Sequence, residues 1–296
     1  MYDDLRNFVV VVESTSVTLA AKRLGLSQPA VSKCIRRIES QLGVTLLMRT
    51  ARGVMPTEVG RQVYDRAKAI EAEYRYLRWH ATEAKGGLSK TLRLGAGPNW
   101  NVAYLQGIID DIRTHFPKTV LEAQVHVKEI LVDNLSAGKL DFAICGTDIE
   151  SSDENIEKET LTNVETVIMC RKDHPLRRSQ NISLQDLIAC DWVSFEPNRH
   201  YVYSLDAFFA REGLRPPAPS VVTDSWLSGI LIVANGNSLM NVPRNLEGLT
   251  SKFDVLVLPG LPAVQKFSGG LWYRKSMMDF EIGRRVKEII KARIVL

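Results

Sequence analysis

Gln28, Ser32, Lys33, Arg36 and Arg37 share a stretch, residues 28 to 42, in which apolar Val31, Ile35, Ile38 and Leu42 recur at spacings of 4, 3 and 4. That spacing predicts a helix with one buried stripe, leaving amide, hydroxyl and cationic side chains on its other faces. Gln and Ser carry donors and acceptors that match base edges in a major groove, while Lys and Arg neutralise phosphates. An ordinary solvated helix is also polar outside, but that reading explains neither the turn before this stretch nor the cationic segment after it.

The elements that must hold such a helix can be read on either side of it. Leu19, Ala20, Ala21 and Leu24 predict a preceding helix with a buried stripe and a small-residue face that allows close approach. Gly25 stands where the chain reverses, a position suited to a left-handed backbone. Ser27 is placed to cap the next helix, and Pro29 falls in its first turn, where the missing N–H costs little. Arg49, Arg52 and Gly53, followed by Val54, Pro56 and Thr57, read as a short hairpin whose arginines would reach backbone phosphate or a minor groove. The candidate DNA-contacting residues are therefore Ser27, Gln28, Pro29, Ala30, Ser32, Lys33, Arg36, Arg37, Arg49 and Arg52.

The run Ala20-Ala21-x-x-Leu24-x-x-Ser27-Gln28-Pro29-Ala30-Val31-Ser32-x-x-Ile35-x-x-Ile38-Glu39-x-x-Leu42-Gly43-x-x-Leu46, then Arg49 and Pro56-Thr57-x-x-Gly60, closely resembles the LysR-type transcriptional regulators. Ile38 stands where that family commonly has Leu, and Leu47 where it usually has Phe. Both exchanges keep an apolar residue at an apolar position. The resemblance implies an N-terminal all-α winged helix-turn-helix with a long linker helix, and a C-terminal α/β effector domain of two lobes, like a periplasmic binding protein. It also implies double-stranded promoter DNA as partner, a homodimer through the linker helix, a homotetramer, and RNA polymerase as a further partner.

Charge follows the same division. Residues 1 to 90 hold 15 Lys and Arg against 9 Asp and Glu, net +6, whereas the other 206 hold 23 against 25, net −2. No stretch approaches the ~20 apolar residues that span a bilayer, and the acidic start Met1-Tyr2-Asp3-Asp4 lacks a signal-type apolar region, so a cytosolic protein without membrane contact is expected. Cys34, Cys145, Cys170 and Cys190 are scattered without a CxxC pair and read as reduced thiols in apolar surroundings. Some LysR-type regulators sense oxidants through a close cysteine pair; nothing near Cys190 in sequence supplies a second thiol, and redox sensing is set aside. His80, His115, His126, His174 and His200 show no metal-ligand spacing. No nucleophile elbow or P-loop is present, and Gly95-Ala96-Gly97 lacks the third glycine of a dinucleotide loop. Neither catalysis nor a cofactor or metal is expected.

The organisation expected is a DNA-binding domain over 1–58, a linker helix and hinge over 59–90, and a regulatory domain over 91–296. Val59, Val63, Ala67, Ile70, Tyr74 and Leu77 form the narrow stripe of a coiled-coil partner helix, and Gly86 to Lys90 break it. Beyond Thr91, short apolar strands alternate with helices, which predicts parallel α/β lobes, lobe I over about 91–163 and 267–296 and lobe II over about 164–266. In such folds ligands sit beyond the carboxyl ends of strands. That rule selects Pro98, Asn99, Trp100, Lys128 and Thr147 in the first lobe, and Phe195, Asn198, Thr223, Ser225 and Pro243 in the second.

Each has a plainer alternative: Asn99 and Ser225 as helix caps, Thr147 as a strand end, Trp100 and Trp226 as core. Lys128, Arg199 and Arg244 suggest a carboxylate and Trp100 an aromatic ring, so a small organic acid, aromatic or sugar-derived, is the effector class those side chains suggest. The expected mechanism is a dimer of dimers on successive major grooves, with ligand selecting between subunit arrangements.

Overall fold

The structure, a computed structural model, describes residues 2–50, 53–83, 91–195 and 200–295. Its internal contacts divide the chain into two units, Met1–Lys90 with Asp133–Asp141, and Thr91–Val132 with Phe142–Leu296.

The first unit opens with α1 (Tyr2–Ser14), α2 (Val17–Leu24) and α3 (Gln28–Leu42). Side-chain caps and left-handed glycines set the ends. Ser16 accepts a hydrogen bond from the Leu19 N–H at 3.3 Å, Gly25 closes α2 at φ 66°, Ser27 accepts from the Ala30 N–H at 3.3 Å, and Gly43 closes α3 at φ 69°. Phe8, Val11, Ala20, Ala21, Val31, Ile35, Ile38 and Leu46 form one buried cluster. Leu19 and Leu42, expected inside, are exposed, and Leu24 is half-buried. The two alanines already make the close contact of α2, and Leu42 is the last residue before the Gly43 turn, beyond the edge of the core.

Next come β1 (Leu47–Thr50) and β2 (Gly53–Pro56), an antiparallel hairpin with Leu47 opposite Pro56. The Val54 N–H donates to the Thr15 carbonyl at 2.9 Å, and a Cβ on Gly53 would stand 2.4 Å from that same oxygen. The Glu39 carboxylate accepts from the Leu46 and Leu47 N–H groups at 2.8 and 3.2 Å, fastening the hairpin to α3. Thr57 joins the hairpin to α4 (Glu58–Glu83). Its N–H donates to the Leu46 carbonyl at 2.9 Å, while its hydroxyl donates to the Thr45 carbonyl and accepts from the Gly60 N–H, both at 2.9 Å. A Cβ on Gly60 would lie 2.0 Å from the Leu46 oxygen, so Thr57 and Gly60 are tied to one another by backbone geometry.

The apolar stripe of α4 splits in two. Val63 and Ala67 turn inward, Val63 onto the three-helix core, whereas Val59, Ile70, Tyr74 and Leu77 are exposed. Further along α4, Arg75 Nη2 and the Tyr76 hydroxyl donate to the wholly buried Asp141 carboxylate at 2.7 and 2.5 Å. A buried carboxylate without such partners would be strongly destabilising.

The second unit runs β3 (Thr91–Ala96), α5 (Pro98–Trp100), a π-helical turn Asn101–Leu105, α6 (Gln106–His115), β4 (Val120–Val125), α7 (Lys128–Ser136, whose last residues belong with the first unit) and β5 (Phe142–Gly146). It continues through β6 (Ile156–Arg171), α8 (Leu184–Ile188), β7 (Trp192–Phe195), α9 (His200–Ala210), β8 (Val221–Thr223), α10 (Trp226–Ala234), β9 (Leu239–Pro243) and α11 (Glu247–Thr250). It ends with β10 (Val255–Val257), β11 (Gln265–Arg274) and α12 (Glu281–Val295). The strands lie in the order β4-β3-β5-β11-β6-β9-β7-β8, with β10 beside β6. Three parallel strands at each end form two lobes, and antiparallel β6 and β11 pass through both. β6 starts at Ile156, well before the expected Val164, because its charged residues find partners on neighbouring elements. β11 carries an irregularity at Gly269/Gly270, where a Cβ on Gly270 would stand 2.0 Å from the Glu159 carbonyl oxygen.

Candidate nucleic-acid interface and effector cleft

On α3 the exposed residues Gln28, Lys33 and Arg36, with half-buried Ser32, form a stripe opposite Val31, Ile35 and Ile38. Gln28, Ser32 and Arg36 follow one another at four-residue spacing, hence on one face. Ser27 and Pro29 are exposed at the start of the helix, Ala30 is half-buried, and Arg49 is exposed on the hairpin. Arg52 lies outside the described residues.

Arg37 departs from the expectation of an outward phosphate ligand. Its guanidinium forms a two-pronged contact with Asp4 of α1, Nε to Oδ2 at 2.8 Å and Nη2 to Oδ1, and Asp4 is buried. The Arg37 hydrogen bond holds the Asp4 carboxyl below its ordinary range, and the same hydrogen bond, with the Asp4 charge behind it, raises the already high pKa of Arg37. Cys34, half-buried one turn earlier, accepts from Asn7 Nδ2 at 3.4 Å. Arg37 therefore docks α3 on α1. Asp4 was not singled out in the sequence, since its partner lies 33 residues away and no local pattern links them.

The strand-end loops divide differently. Trp100, expected as a ring that stacks on ligand, is buried; a Cβ on Gly269 would stand 2.0 Å from its Cζ2, so the indole lies on the crossing strand β11. Phe195, expected at the cleft, stacks on Trp226 with centroids 3.7 Å apart, both rings inside the second-lobe core that also receives Val102 and Ala103. Lys128, expected to meet a carboxylate on the ligand, pairs with Asp148 of its own lobe. Thr147 is buried, its N–H donating to the Ser268 carbonyl at 3.0 Å and its hydroxyl 2.9 Å from that of Thr160. Ser225 caps α10 by accepting from the Ser228 N–H at 3.2 Å, and Thr223 accepts from the Ser225 N–H at 3.1 Å. Pro98 opens α5, and Pro243, buried, ends β9 opposite Thr166. Asn198 lies outside the described residues.

Asn99 is the candidate with unused capacity. It is buried in the first turn after Gly97, and its Nδ2 has no hydrogen-bond partner. An orphaned donor there suits an oxygen-bearing ligand, because a buried polar group without a partner costs free energy that such a ligand removes. Sequence reasoning did not single out Tyr104 and Asn245, which line a separate open pocket at the strand crossing.

Burial pushes the Cys145 thiol up, and Cys170 and Cys190, which share a core cluster, are raised in the same way. The sequence distance between those two had hidden that proximity. Among the described residues no group of three or more His, Cys, Asp or Glu is placed to hold a metal ion, and no helix is long and apolar enough to cross a membrane.

Two family models match the chain: the bacterial regulatory helix-turn-helix protein of the lysR family over residues 2–61, and the LysR substrate binding domain over residues 85–278. Similar curated proteins include the HTH-type transcriptional regulator ShiR of Corynebacterium glutamicum, 28% identical over 82% of this chain and 85% of that protein. TdcA of Escherichia coli is 28% identical over 85% and 80%. Two solved structures share the fold: ArgP from Mycobacterium tuberculosis, with TM-score 0.76 and 16% identity over 98% of this chain and 96% of that one, and CbnR complexed with its target DNA, with TM-score 0.65 and 19% identity over 99% of each. The winged helix-turn-helix, the two-lobed α/β domain and both family matches together place the chain in the LysR family of DNA-binding transcriptional regulators.

Proposed function

We propose that this regulator reads promoter DNA through the Gln28, Ser32, Lys33 and Arg36 stripe of α3, with Arg49 on the hairpin neutralising phosphate, while an effector held in the two-lobed domain adjusts the outcome. The observation that carries this reading is the outward stripe itself, backed by a core that fixes the helix on its other side. Asn99, with its orphaned amide, is the leading contact at the strand ends, and a small organic acid remains the effector class.

A homotetramer needs two kinds of interface. Two exposed apolar surfaces support it: Ile70, Tyr74 and Leu77 at i, i+4, i+7 on α4, and Leu227 and Leu231 of α10 with Val222 of edge strand β8. Action on RNA polymerase, a cytosolic location and regulation in place of catalysis complete the proposal, in keeping with the regulator names of its relatives.

The test is the salt dependence of binding to a promoter fragment. Removing one cation that neutralises a phosphate flattens the slope of log K against log salt by ~0.9. Arg36→Ala should weaken binding and flatten the slope by about that amount. Arg37→Ala should weaken binding with the slope unchanged, since its cation sits on Asp4. Gln28→Ala should relax sequence preference by ~1–3 kcal/mol at its base pair. Equal weakening on every sequence would remove Gln28 from base reading, and an unchanged slope in Arg36→Ala would remove Arg36 from the phosphate contacts.

A further inference from the structure

Helices α1, α2 and α3 of the first unit each end in a turn that passes through a left-handed residue. α2 and α3 end on glycines, Gly25 at φ 66° and Gly43 at φ 69°, where no Cβ opposes that backbone. α1 ends differently. The residue after it is Thr15, at φ 49°, a β-branched side chain in a region such residues seldom enter. Among the described residues only Asp254 shares a positive φ without being glycine. Core packing does not account for the choice, because Thr15 is exposed. Its hydroxyl donates to the Ser14 carbonyl at 2.8 Å and its N–H to the Val12 carbonyl at 3.3 Å, while Ser16 caps α2.

What this strained turn does is aim a carbonyl. The Thr15 oxygen accepts from the Val54 N–H of β2 at 2.9 Å, a bond made outside the hairpin's own ladder. Val54 stands directly opposite Arg49 in the β1–β2 register, so one backbone bond fixes the strand pair that carries Arg49. The ties described at Leu46 and Leu47 hold the base of the hairpin, and the Thr15 carbonyl holds it nearer the tip. The approach is close from the other side as well: Gly53 has φ 115°, and a Cβ there would stand 2.4 Å from the same Thr15 oxygen. A residue held in a sparsely populated backbone region persists only where its surroundings demand it, and such residues gather at functional sites.

We infer that Thr15 is a positioning residue for DNA binding: its left-handed turn sets where the hairpin, and with it Arg49, meets the phosphate backbone. The inference rests on the reading of Arg49 as a phosphate contact. A β-branched side chain has few rotamers, and with its hydroxyl on the Ser14 carbonyl it stiffens the turn. Glycine would relieve the strain but let the carbonyl swing. Stability and DNA binding therefore pull in opposite directions at this one position.

The test uses the full chain and random-sequence duplex DNA, since the phosphate contribution does not depend on sequence. Two variants disturb the same contact with opposite effects on stability. Thr15→Gly should leave the thermal unfolding midpoint level with the parent or above it, whereas Gly53→Ala should lower it. Both should weaken binding and make the slope of log K against log salt shallower, towards that of Arg49→Ala, by up to ~0.9. Adding Arg49→Ala to Thr15→Gly should flatten the slope no further, while adding Arg36→Ala, on α3, should flatten it again in full. A Thr15→Gly slope equal to the parent's overturns the proposal, as does a full further loss on adding Arg49→Ala. Weakening confined to the less stable Gly53→Ala, or a marked fall in the Thr15→Gly midpoint, also overturns it, because the turn would then serve the fold alone. If Arg49→Ala itself leaves the slope unchanged, the phosphate reading of Arg49 falls and the role of Thr15 falls with it. If Arg49→Ala flattens the slope and Thr15→Gly does not, only the role of Thr15 is lost.

Discussion

The outward face of α3 and the strand-end loops of the two lobes were selected by the same reasoning, polar side chains at positions where ligands are commonly met, yet they fared differently. On α3 the stripe Gln28, Ser32, Lys33 and Arg36 faces outward, and Arg37, also exposed, is tied by its guanidinium to buried Asp4. In the loops, Trp100, Phe195, Lys128, Thr147, Thr223 and Ser225 are engaged in packing, pairing or capping. A helix lying on a core has one buried stripe, so its period separates buried from outward residues. A loop has no such period, and each of its polar groups has backbone orphans or opposite charges within reach.

The largest effect that would test this contrast comes from Trp100. As a core ring resting on Gly269, it should cost about 3–5 kcal/mol when replaced by Ala, read by urea unfolding of the full chain. A Trp100→Ala chain as stable as the parent, but deaf to effector, would return this ring to the ligand and erase the contrast.

A smaller effect compares two serines of the same local chemistry. Ser27 caps α3 at the end proposed to read DNA, and Ser225 caps α10 in the second lobe. Each Ser→Ala change should destabilise by ~1 kcal/mol through loss of the cap. Ser27→Ala should also weaken promoter binding beyond its stability cost, because the cap sets the helix end proposed to enter the groove. Ser225→Ala should leave promoter binding without effector unchanged. If Ser225→Ala altered the effector response more than stability, its hydroxyl would belong to the ligand as well as to the helix.

What could be read from the sequence follows the range of the interactions involved. The helix-turn-helix was legible because Gly25, Ser27, Pro29 and Gly43 act within four residues of their effects. The motif Pro56-Thr57-x-x-Gly60 could be recognised but not explained, since its reason is the Leu46 carbonyl across the hairpin. Asp4 with Arg37, Arg75 and Tyr76 with Asp141, and Cys170 beside Cys190 depend on partners tens of residues away, and a period analysis cannot pair them. Exposure of Leu42 and the divided α4 stripe have the same origin: spacing predicts an apolar face but not which part of it the protein itself covers. The start of β6 was hidden because a strand carrying Glu157, Lys158 and Glu159 does not alternate as a half-buried strand should. Lys158 is held by the Thr147 and Ile149 carbonyls, at 3.2 and 2.7 Å, and by Glu150, all from the preceding loop.

Glu159 gives the smallest effect and carries the comparison into pH. Partial burial alone would raise its carboxyl, but Lys287, Lys291 at 2.8 Å and the Tyr273 hydroxyl at 3.1 Å outweigh it and hold the group down to about 2, from an ordinary 4.5. A carboxyl whose pKa is lower in the folded state binds its proton more readily when unfolded. Its contribution to stability is therefore full above about 4.5 and is lost as pH falls from there through about 2. The gap in thermal midpoint between the parent and Glu159→Gln should be constant near neutral pH and close progressively over that acid window. Asp4 is held down by Arg37 in the same sense, so an Asp4→Asn gap should also narrow in acid, in a unit where promoter binding can be followed alongside. A Glu159 gap that ignored pH would mean that its role is one of shape, with the two lysines contributing as surface ion pairs usually do, which is little.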